Sequence, residues 1–355
     1  MAKKKRTLPV DVSKVLQEAK NVTEEQSRNL SIAIYIDPQA PNDVQAHVRH
    51  AFATPAPNVR LSILYIENSK PPIINGSDIA VIVAGLSGGI GNVAKQLRHA
   101  NIPVMVATTM PTLVHDIAAT EGNAIPKGDI IAPDLNDAAY AHKTSAGKTA
   151  PVLRASWGAS NVKEMEDTSE CEPFVLDKQA KQTFNHNMGA WVIEACTDAR
   201  LAFASAFEFV RNPLANSITM ETAMQNAGIA LVMFIPGADM PILTLNQCKM
   251  LLEIAAVFGK PLDTSRIKEI VAVVGSGFVC RGVARQVAGA LPLLGWAVKC
   301  AVGYGGTLAM GKAATAYFNG EKAQGKFAEI IEQARNAAVK AAAFGVRKFK
   351  QAGAK

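Results

Sequence analysis

Up to residue 132, apolar residues fall into short, nearly continuous runs that are separated by segments with helical spacing. The run at 78–84 is almost entirely apolar, which is typical of a strand covered on both faces in a parallel sheet. Strands that alternate with helices in this way predict right-handed β-α-β units in an open, Rossmann-like α/β sheet. The predicted strands cover 31–36, 60–66, 78–84, 102–107 and 129–132, and the predicted helices 43–53, 92–99 and 111–120.

Beyond residue 175 the pattern is helical almost throughout and is rich in alanine and glycine. It predicts an all-α domain whose first helix ends at Asn212-Pro213, because proline interrupts the hydrogen-bond ladder of a helix. The predicted helices cover 176–211, 215–234, 243–258, 265–291, 296–318 and 321–351. The predicted division is a basic tail with a short helix (1–28), the α/β domain (29–150), an acidic linker (151–175) and the helical domain (176–355).

Composition narrows the class of protein. Of the 355 residues, 49% are hydrophobic and 19% are charged, which is typical of a globular chain. The cysteines number five and form no C-x-x-C pair, which favours reduced thiols in a cytoplasmic protein over disulfides or a zinc site. No apolar segment is long enough for a membrane span, although the region 274–314 leaves a shallow membrane insertion open.

The most suggestive motif is the glycine-rich turn at 84–91, which leaves an apolar predicted strand and enters a predicted helix. Glycines at such a turn allow a pyrophosphate to approach the backbone, and free N–H groups at a helix start attract anions. The spacing is similar to the cofactor turn of short-chain dehydrogenases, but no Tyr-x-x-x-Lys pair and no acidic residue after the next strand accompany it. The candidate cofactor-binding residues are Gly85, Ser87, Gly89, Ile90 and Gly91.

The other motifs lack residues that a binding or catalytic site would require. Residues 146–149 are similar to the end of a phosphate-binding loop but lack its first glycine and a preceding strand. His47 and His50 have no third metal ligand beside them, and Asp239 has the surroundings of a turn or N-cap residue. The sequence therefore predicts no catalytic residue, no metal site and no bound cofactor.

A second pattern lies between about residues 228 and 318. It consists of a Pro-Gly-x-Asp turn at 235–241, a helix with Gln247 and Met250, and a Phe-Gly-Lys-Pro-Leu segment at 258–262. Ile254-Ala255, Arg281, Arg285, Leu291-Pro292 and Gly295 continue it. This pattern resembles the bacterial domain of unknown function family 697, a helical family that often follows a GTPase domain in the same chain.

That resemblance implies that the α/β domain is a degenerate P-loop GTPase-like module. A GTPase requires a Gly-x-x-x-x-Gly-Lys-Ser/Thr loop after its first strand, but residues 37–44 contain neither glycine nor lysine. No Asp-x-x-Gly switch follows Ile66, and Thr108-Thr109 stands where a guanine-reading Asn-Lys-x-Asp motif belongs. GTP hydrolysis is therefore not expected.

These observations leave two hypotheses for function. The first is a non-catalytic adaptor or scaffold that binds an unknown protein partner, with self-association left open. Lys3, Lys4, Lys5, Arg6 and a basic amphipathic helix at 326–350 would add attachment to an anionic inner membrane surface. The alternative is a nucleotide-binding protein or sensor that holds an NAD(P)-type ligand at Gly85–Gly91. Aromatic residues make up only 6%, which disfavours nucleic-acid binding by stacking.

Overall fold

The computed structural model describes residues 11–67, 71–133, 176–232, 240–276, 295–320, 327–334 and 336–337. It is α/β, with a parallel sheet of five strands in the order β2-β1-β3-β4-β5. The strands are β1 (Leu30–Ile36), β2 (Val59–Tyr65), β3 (Ile79–Val83), β4 (Val104–Ala107) and β5 (Ile130–Ile131). The first helices are α1 (Val12–Gln26), α2 (Asn42–Ala51), α3 (Ile90–His99) and α4 (Pro111–Thr120). The predicted strands and the helices between them are confirmed to within a few residues.

Helices cover both faces of this sheet. Ala33 and Tyr35 of β1 belong to one apolar cluster with Val93 and Leu97 of α3 and Val114 of α4. The alternate β1 side chains point to the opposite face, because successive side chains of a strand alternate. That face is covered by α2, which contacts β3, and by α5 (Lys178–Ala195), which contacts β4 and β5. Burial on both sides explains why β1, β3 and β4 are nearly continuous apolar runs.

The prediction of one helix over 176–211 is wrong. The chain forms α5, then α6 (Arg200–Ala206), then α7 (Glu208–Val232). A turn at residues 196–199 separates the first two helices, and Phe207 has an extended backbone between the second and third. Phe207 and Phe209 both pack edge-to-face against Phe52, which follows α2, and this contact redirects the chain.

Pro213 lies inside α7 rather than at the end of a helix. Because proline has no N–H group, the carbonyl of Phe209 one turn earlier loses its partner in the helix. That carbonyl lies against Gly189 of α5, where an added Cβ would be only 2.5 Å from the oxygen. The hydrogen bond that α7 lacks at Pro213 therefore lies where α5 approaches α7 closely, and only glycine at residue 189 permits this approach.

The chain forms two compact units. One runs from Arg28 to Pro213, and the other combines α1 with the chain from Leu214 onward. The first limit lies within one residue of the sequence-based boundary at residue 28, whereas the helical unit begins at Leu214 and not at residue 176. The helices α5 and α6 therefore belong with the sheet, and α1 belongs with the later helices.

The second unit is built around α8 (Met240–Val257), which packs against α1, α9 (Thr264–Ser276) and α10 (Gly295–Phe318). Lys249 of α8 pairs with Glu18 of α1 at 3.6 Å, and Gln26 donates to the carbonyl of Ala256. Where α7 meets α10, a Cβ on Gly311 would be 2.4 Å from the Thr219 side chain. Helices of this unit therefore approach closely through small residues.

Inside this apolar unit lies a buried polar network. The Thr307 hydroxyl accepts hydrogen bonds from the Asn226 and Gln247 side chains at 3.0 and 3.1 Å, and it donates to the carbonyl of Gly303. Asn246 in turn donates to the Asn226 side-chain oxygen. Because these buried groups find partners, the network links α7, α8 and α10 without the cost of an unpaired polar atom.

Several sequence-based predictions fall outside the described residues. They are the basic cluster Lys3–Arg6, the loop 146–149, the linker 151–175, Asp239 and most of the helix predicted over 321–351. Of the family-697-like pattern, Arg281, Arg285 and Leu291-Pro292 are also outside. In the part that is described, every helix is too short or too polar to cross a bilayer.

Candidate functional site

The candidate site lies where the strand order of the sheet reverses. From β1 the chain moves outward to β2 and then returns past β1 to β3, so the crevice between β1 and β3 is the topological switch point. In open α/β sheets, ligands bind in this crevice beyond the carboxyl ends of the strands. Asp37 directly follows β1, and the glycine-rich turn at 85–91 follows β3, so the register brings both to this position.

The carboxylate of Asp37 binds the first half of the glycine-rich turn. Its oxygens accept hydrogen bonds from the Gly85 N–H at 2.8 Å and from the Ser87 hydroxyl at 2.6 Å. The Ser87 N–H at 3.4 Å and the Gln39 N–H at 2.9 Å also donate to this carboxylate. Asp37 is fully buried. A carboxylate of the protein itself therefore accepts from the first amide groups of the turn.

Gly85 allows the β1–α2 connection to close over the crevice. A Cβ at this position would lie 2.4 Å from the carbonyl carbon and oxygen of Gln39 and 2.5 Å from the Ala40 nitrogen. All three are backbone atoms, which cannot rotate away. The absence of a side chain at Gly85 therefore serves contact with the protein's own backbone.

The second half of the turn begins α3. Gly89 is the N-cap residue with φ of 89°, a left-handed conformation that favours glycine. Its N–H donates to both carboxylate oxygens of Glu121, at 3.1 and 2.9 Å. Glu121 follows α4, so a negative charge from the neighbouring helix interacts with the positive end of the α3 dipole. Gly91 similarly serves packing, since its Cβ would be 2.4 Å from the Asn123 carbonyl oxygen.

Little open space remains beside the turn. Gly85, Ser87, Ile90 and Gly91 line one side of a depression of about 170 Å³, which includes solvent-open space, and α4 lines the other. Pockets for small ligands and cofactors usually measure about 300–1,000 Å³. The structure thus brings all five predicted cofactor-binding residues, Gly89 included, to the end of β3 and the start of α3, around a small depression.

Sequence reasoning missed the two acidic residues of this arrangement. The sequence places Asp37 only in a segment that lacks the glycine and lysine of a phosphate-binding loop, and it gives Glu121 no role. A usable signal for Asp37 is its position, because an acidic residue that directly follows an apolar parallel strand lies at the binding edge of the sheet. Glu121 has no comparable signal, since 32 residues separate it from Gly89.

The other residues that could take part in catalysis or metal binding have no such role in the structure. His47 is buried and stacks on Phe184 of α5, whereas His50 is exposed. Burial and the charge of Asp78 raise the pKa of Cys196 to about 12, so this thiol stays protonated and is a poor nucleophile. Among the side chains whose placement is described, no set of three histidine, cysteine or acidic residues could hold a metal ion.

Burial lowers the pKa of His47 below its ordinary value of 6.5, and the charges of Lys181 and His50 act in the same direction. The nearby Asn185 side chain and the charge of Asp43 oppose this shift of the pKa without reversing it. The Nε2 atom of His47 is buried and finds no hydrogen-bond partner among the residues that the structure describes, so a proton there would be poorly solvated.

The free energy of unfolding should therefore fall as the pH is lowered through about 6.5, because the unfolded chain then binds more protons than the folded one. His47→Phe, which keeps the stack on Phe184, should flatten this dependence in urea unfolding measured between about pH 5 and pH 8. His50→Gln, which removes an exposed imidazole from the same helix, is the control. Equal pH slopes for wild type and His47→Phe would contradict the assignment.

Comparisons with protein-family models, with curated proteins and with solved structures found no match.

Proposed function

We propose that this chain is a non-catalytic adaptor or scaffold that contains a degenerate GTPase-like α/β module. In this module, side chains of the protein bind the backbone N–H groups that would otherwise bind a nucleotide. One observation carries the proposal: Asp37 and Glu121 occupy the N–H groups of Gly85 and Gly89 at the switch point of the sheet. A phosphate would have to displace a fully buried carboxylate or share amides with it, and two like charges in such a site repel strongly.

The end of β4, the neighbouring strand, supports the same proposal. Thr108 and Thr109, at the end of β4, are buried, and the Thr108 hydroxyl accepts a hydrogen bond from the Met110 N–H. This is the position at which a GTPase would present its guanine-reading side chains. The residues that follow β3 and β4, where a nucleotide would bind, thus make contacts within the protein. These contacts favour a binding module over an enzyme.

The membrane-binding part of the sequence-based hypothesis receives less support. In the apolar stripe expected to face lipid, Phe327 and Ile331 are buried. The Phe327 ring packs against Tyr317 and Phe318, with ring centroids 5.0 and 5.2 Å apart. This portion of the stripe faces the helical unit itself, so the proposal requires no lipid.

The test is a thermal-shift measurement on the full chain with GTP, ATP, NAD and NADP, each with and without Mg²⁺. A ligand present at about 100 times its Kd stabilises a protein by about 2.7 kcal/mol, a shift of roughly 5–10 °C for a unit of this size. We expect no shift with any of the four and no phosphate release from GTP.

A shift with one nucleotide that disappears in Gly89→Asp would contradict the proposal and support the nucleotide-binding alternative. That substitution adds a carboxylate at the start of α3, where Gly89 N–H already meets Glu121. Because Gly89 has a positive φ, a side chain at this position strains the backbone. Circular dichroism therefore has to show that the variant is folded before its thermal shift with nucleotide is measured.

A further inference from the structure

The sequence contains two Asn-Gly pairs, and both are exposed in the structure. Asn75-Gly76 forms the turn that precedes β3, and Asn319-Gly320 directly follows α10. Both glycines have a positive φ, 77° at Gly76 and 85° at Gly320. A Cβ added to either glycine would meet nothing within 4 Å beyond its chain neighbours. The two pairs therefore match in sequence, in exposure and in the sign of the glycine φ.

An asparagine that precedes glycine can react with its own backbone. The glycine nitrogen attacks the side-chain carbonyl carbon of the asparagine, the amide group leaves as ammonia, and a five-membered succinimide ring remains. Water then opens the ring at either carbonyl, which gives aspartate or isoaspartate, in which the main chain runs through the former side chain. Glycine favours ring closure because it has no side chain and its backbone reorients easily.

The two pairs differ in the hydrogen bonds of the backbone that must move. The Gly320 N–H donates to the Tyr317 carbonyl at 3.2 Å, and the Asn319 N–H donates to the Thr315 carbonyl at 2.9 Å. These bonds continue the end of α10 and have to break before the Gly320 nitrogen can approach the side chain of Asn319. Within the residues that the structure describes, the Gly76 N–H donates to no acceptor.

The residues on either side of the turn at 75–76 are held in place. The Ile74 N–H donates to the hydroxyl of Tyr35 at 3.2 Å. The Asp78 N–H donates to the Ser31 carbonyl at 2.7 Å. The turn can therefore change its conformation while the sheet stays folded, which is what ring closure in the native protein requires.

We infer that Asn75 is a modification site, at which the folded chain loses ammonia and forms isoaspartate with water as the only co-reactant. The product carries a negative charge that the original amide lacks, and it adds one carbon to the main chain just before β3. The turn lies at the amino-terminal end of β3, whereas the glycine-rich turn follows the other end of this strand. The inference therefore does not depend on the proposed function.

The test is peptide mapping of the full chain after incubation in mildly alkaline buffer, where the attacking nitrogen loses its proton more readily. Mass spectrometry follows the replacement of the amide NH2 by OH in each peptide, and electron-transfer fragmentation distinguishes isoaspartate from aspartate. We expect Asn75 to react about tenfold faster than Asn319, because the two backbone hydrogen bonds at residues 319 and 320 must first break. Isoaspartate should appear at residue 75.

The same measurement in urea shows whether the fold causes the difference, since both pairs should then react at similar rates. Asn75→Gln should leave its peptide unmodified, because closure would require a six-membered ring, and Asn319→Gln is the matched variant that should not change the rate at Asn75. Equal rates in the folded chain, or an intact Asn75 under conditions in which the denatured chain reacts, would overturn the inference. So would a difference that persists in urea, because neighbouring residues and not the fold would then explain it.

Discussion

Replacing Gly85 by alanine is expected to destabilise the α/β unit by about 3 kcal/mol, the upper part of the range for overpacking. The new Cβ would lie 2.4 Å from the Gln39 carbonyl carbon and oxygen, and 2.5 Å from the Ala40 nitrogen. Relief would require the β1–α2 connection to move away from the end of β3, which would stretch the hydrogen bonds of Asp37 to both segments. Urea unfolding followed by circular dichroism measures the loss.

Two further glycines provide a graded control. Gly128→Ala places its Cβ in open space without a positive φ, and the expected change is within about 0.5 kcal/mol. Gly88→Ala meets only the Glu121 side chain, with Oε1 at 2.6 Å and Cδ at 3.8 Å. This side chain can rotate away, but it then loses its hydrogen bonds with the Gly89 N–H. We expect Gly88→Ala to fall between the other two. If Gly85→Ala proved as stable as Gly128→Ala, the close approach to Gln39 would not be what requires glycine.

The strands and the helices α2, α3 and α4 are predictable from sequence because their apolar spacing is a local property. The helix α4 is predicted with both ends correct, since Pro111 is well suited to a first helical position and the apolar stripe stops at residue 120. The order of the strands, in which β1 lies between β2 and β3, is not contained in that alternation and is known only from the structure.

The helices after residue 176 could not be divided correctly by the same reasoning. Residues 196–199 contain neither glycine nor proline, and only Thr197 and Asp198 hint at a break through their preference for turns. Pro213, the strongest local stop signal, is overridden by packing against Gly189. The assignment of α5 to the sheet and of α1 to the later helices depends on contacts between distant parts of the chain, which periodicity does not encode.

The glycine-rich turn illustrates a related limit. Its spacing correctly indicates a tight strand-to-helix turn with amide groups that seek negative charge. It does not indicate whether that charge belongs to a ligand or to the protein. Asp37 and Gly85 are 48 residues apart, and only the parallel register of β1 and β3 brings them together.

Removing the Asp37 carboxylate should therefore produce the second large effect. Asp37→Ala is expected to destabilise the α/β unit by about 3–5 kcal/mol, because one buried and two partly buried donors lose a charged acceptor. The donors that lose it are the N–H groups of Gly85 and Gln39 and the hydroxyl of Ser87. Urea unfolding monitored by circular dichroism and tryptophan fluorescence is the measurement.

The size of the effect in related variants separates a structural carboxylate from a catalytic one. Asp37→Asn keeps one acceptor oxygen and should lose about half as much stability. Asp116→Ala, which removes a carboxylate that is 55% exposed on α4, should change stability by less than about 0.5 kcal/mol. A residue held in place for chemistry is commonly a source of strain, so its removal tends to stabilise a fold. Unchanged or increased stability in Asp37→Ala would therefore mean that this buried charge is kept for a ligand or a reaction, contrary to the role we assign to it.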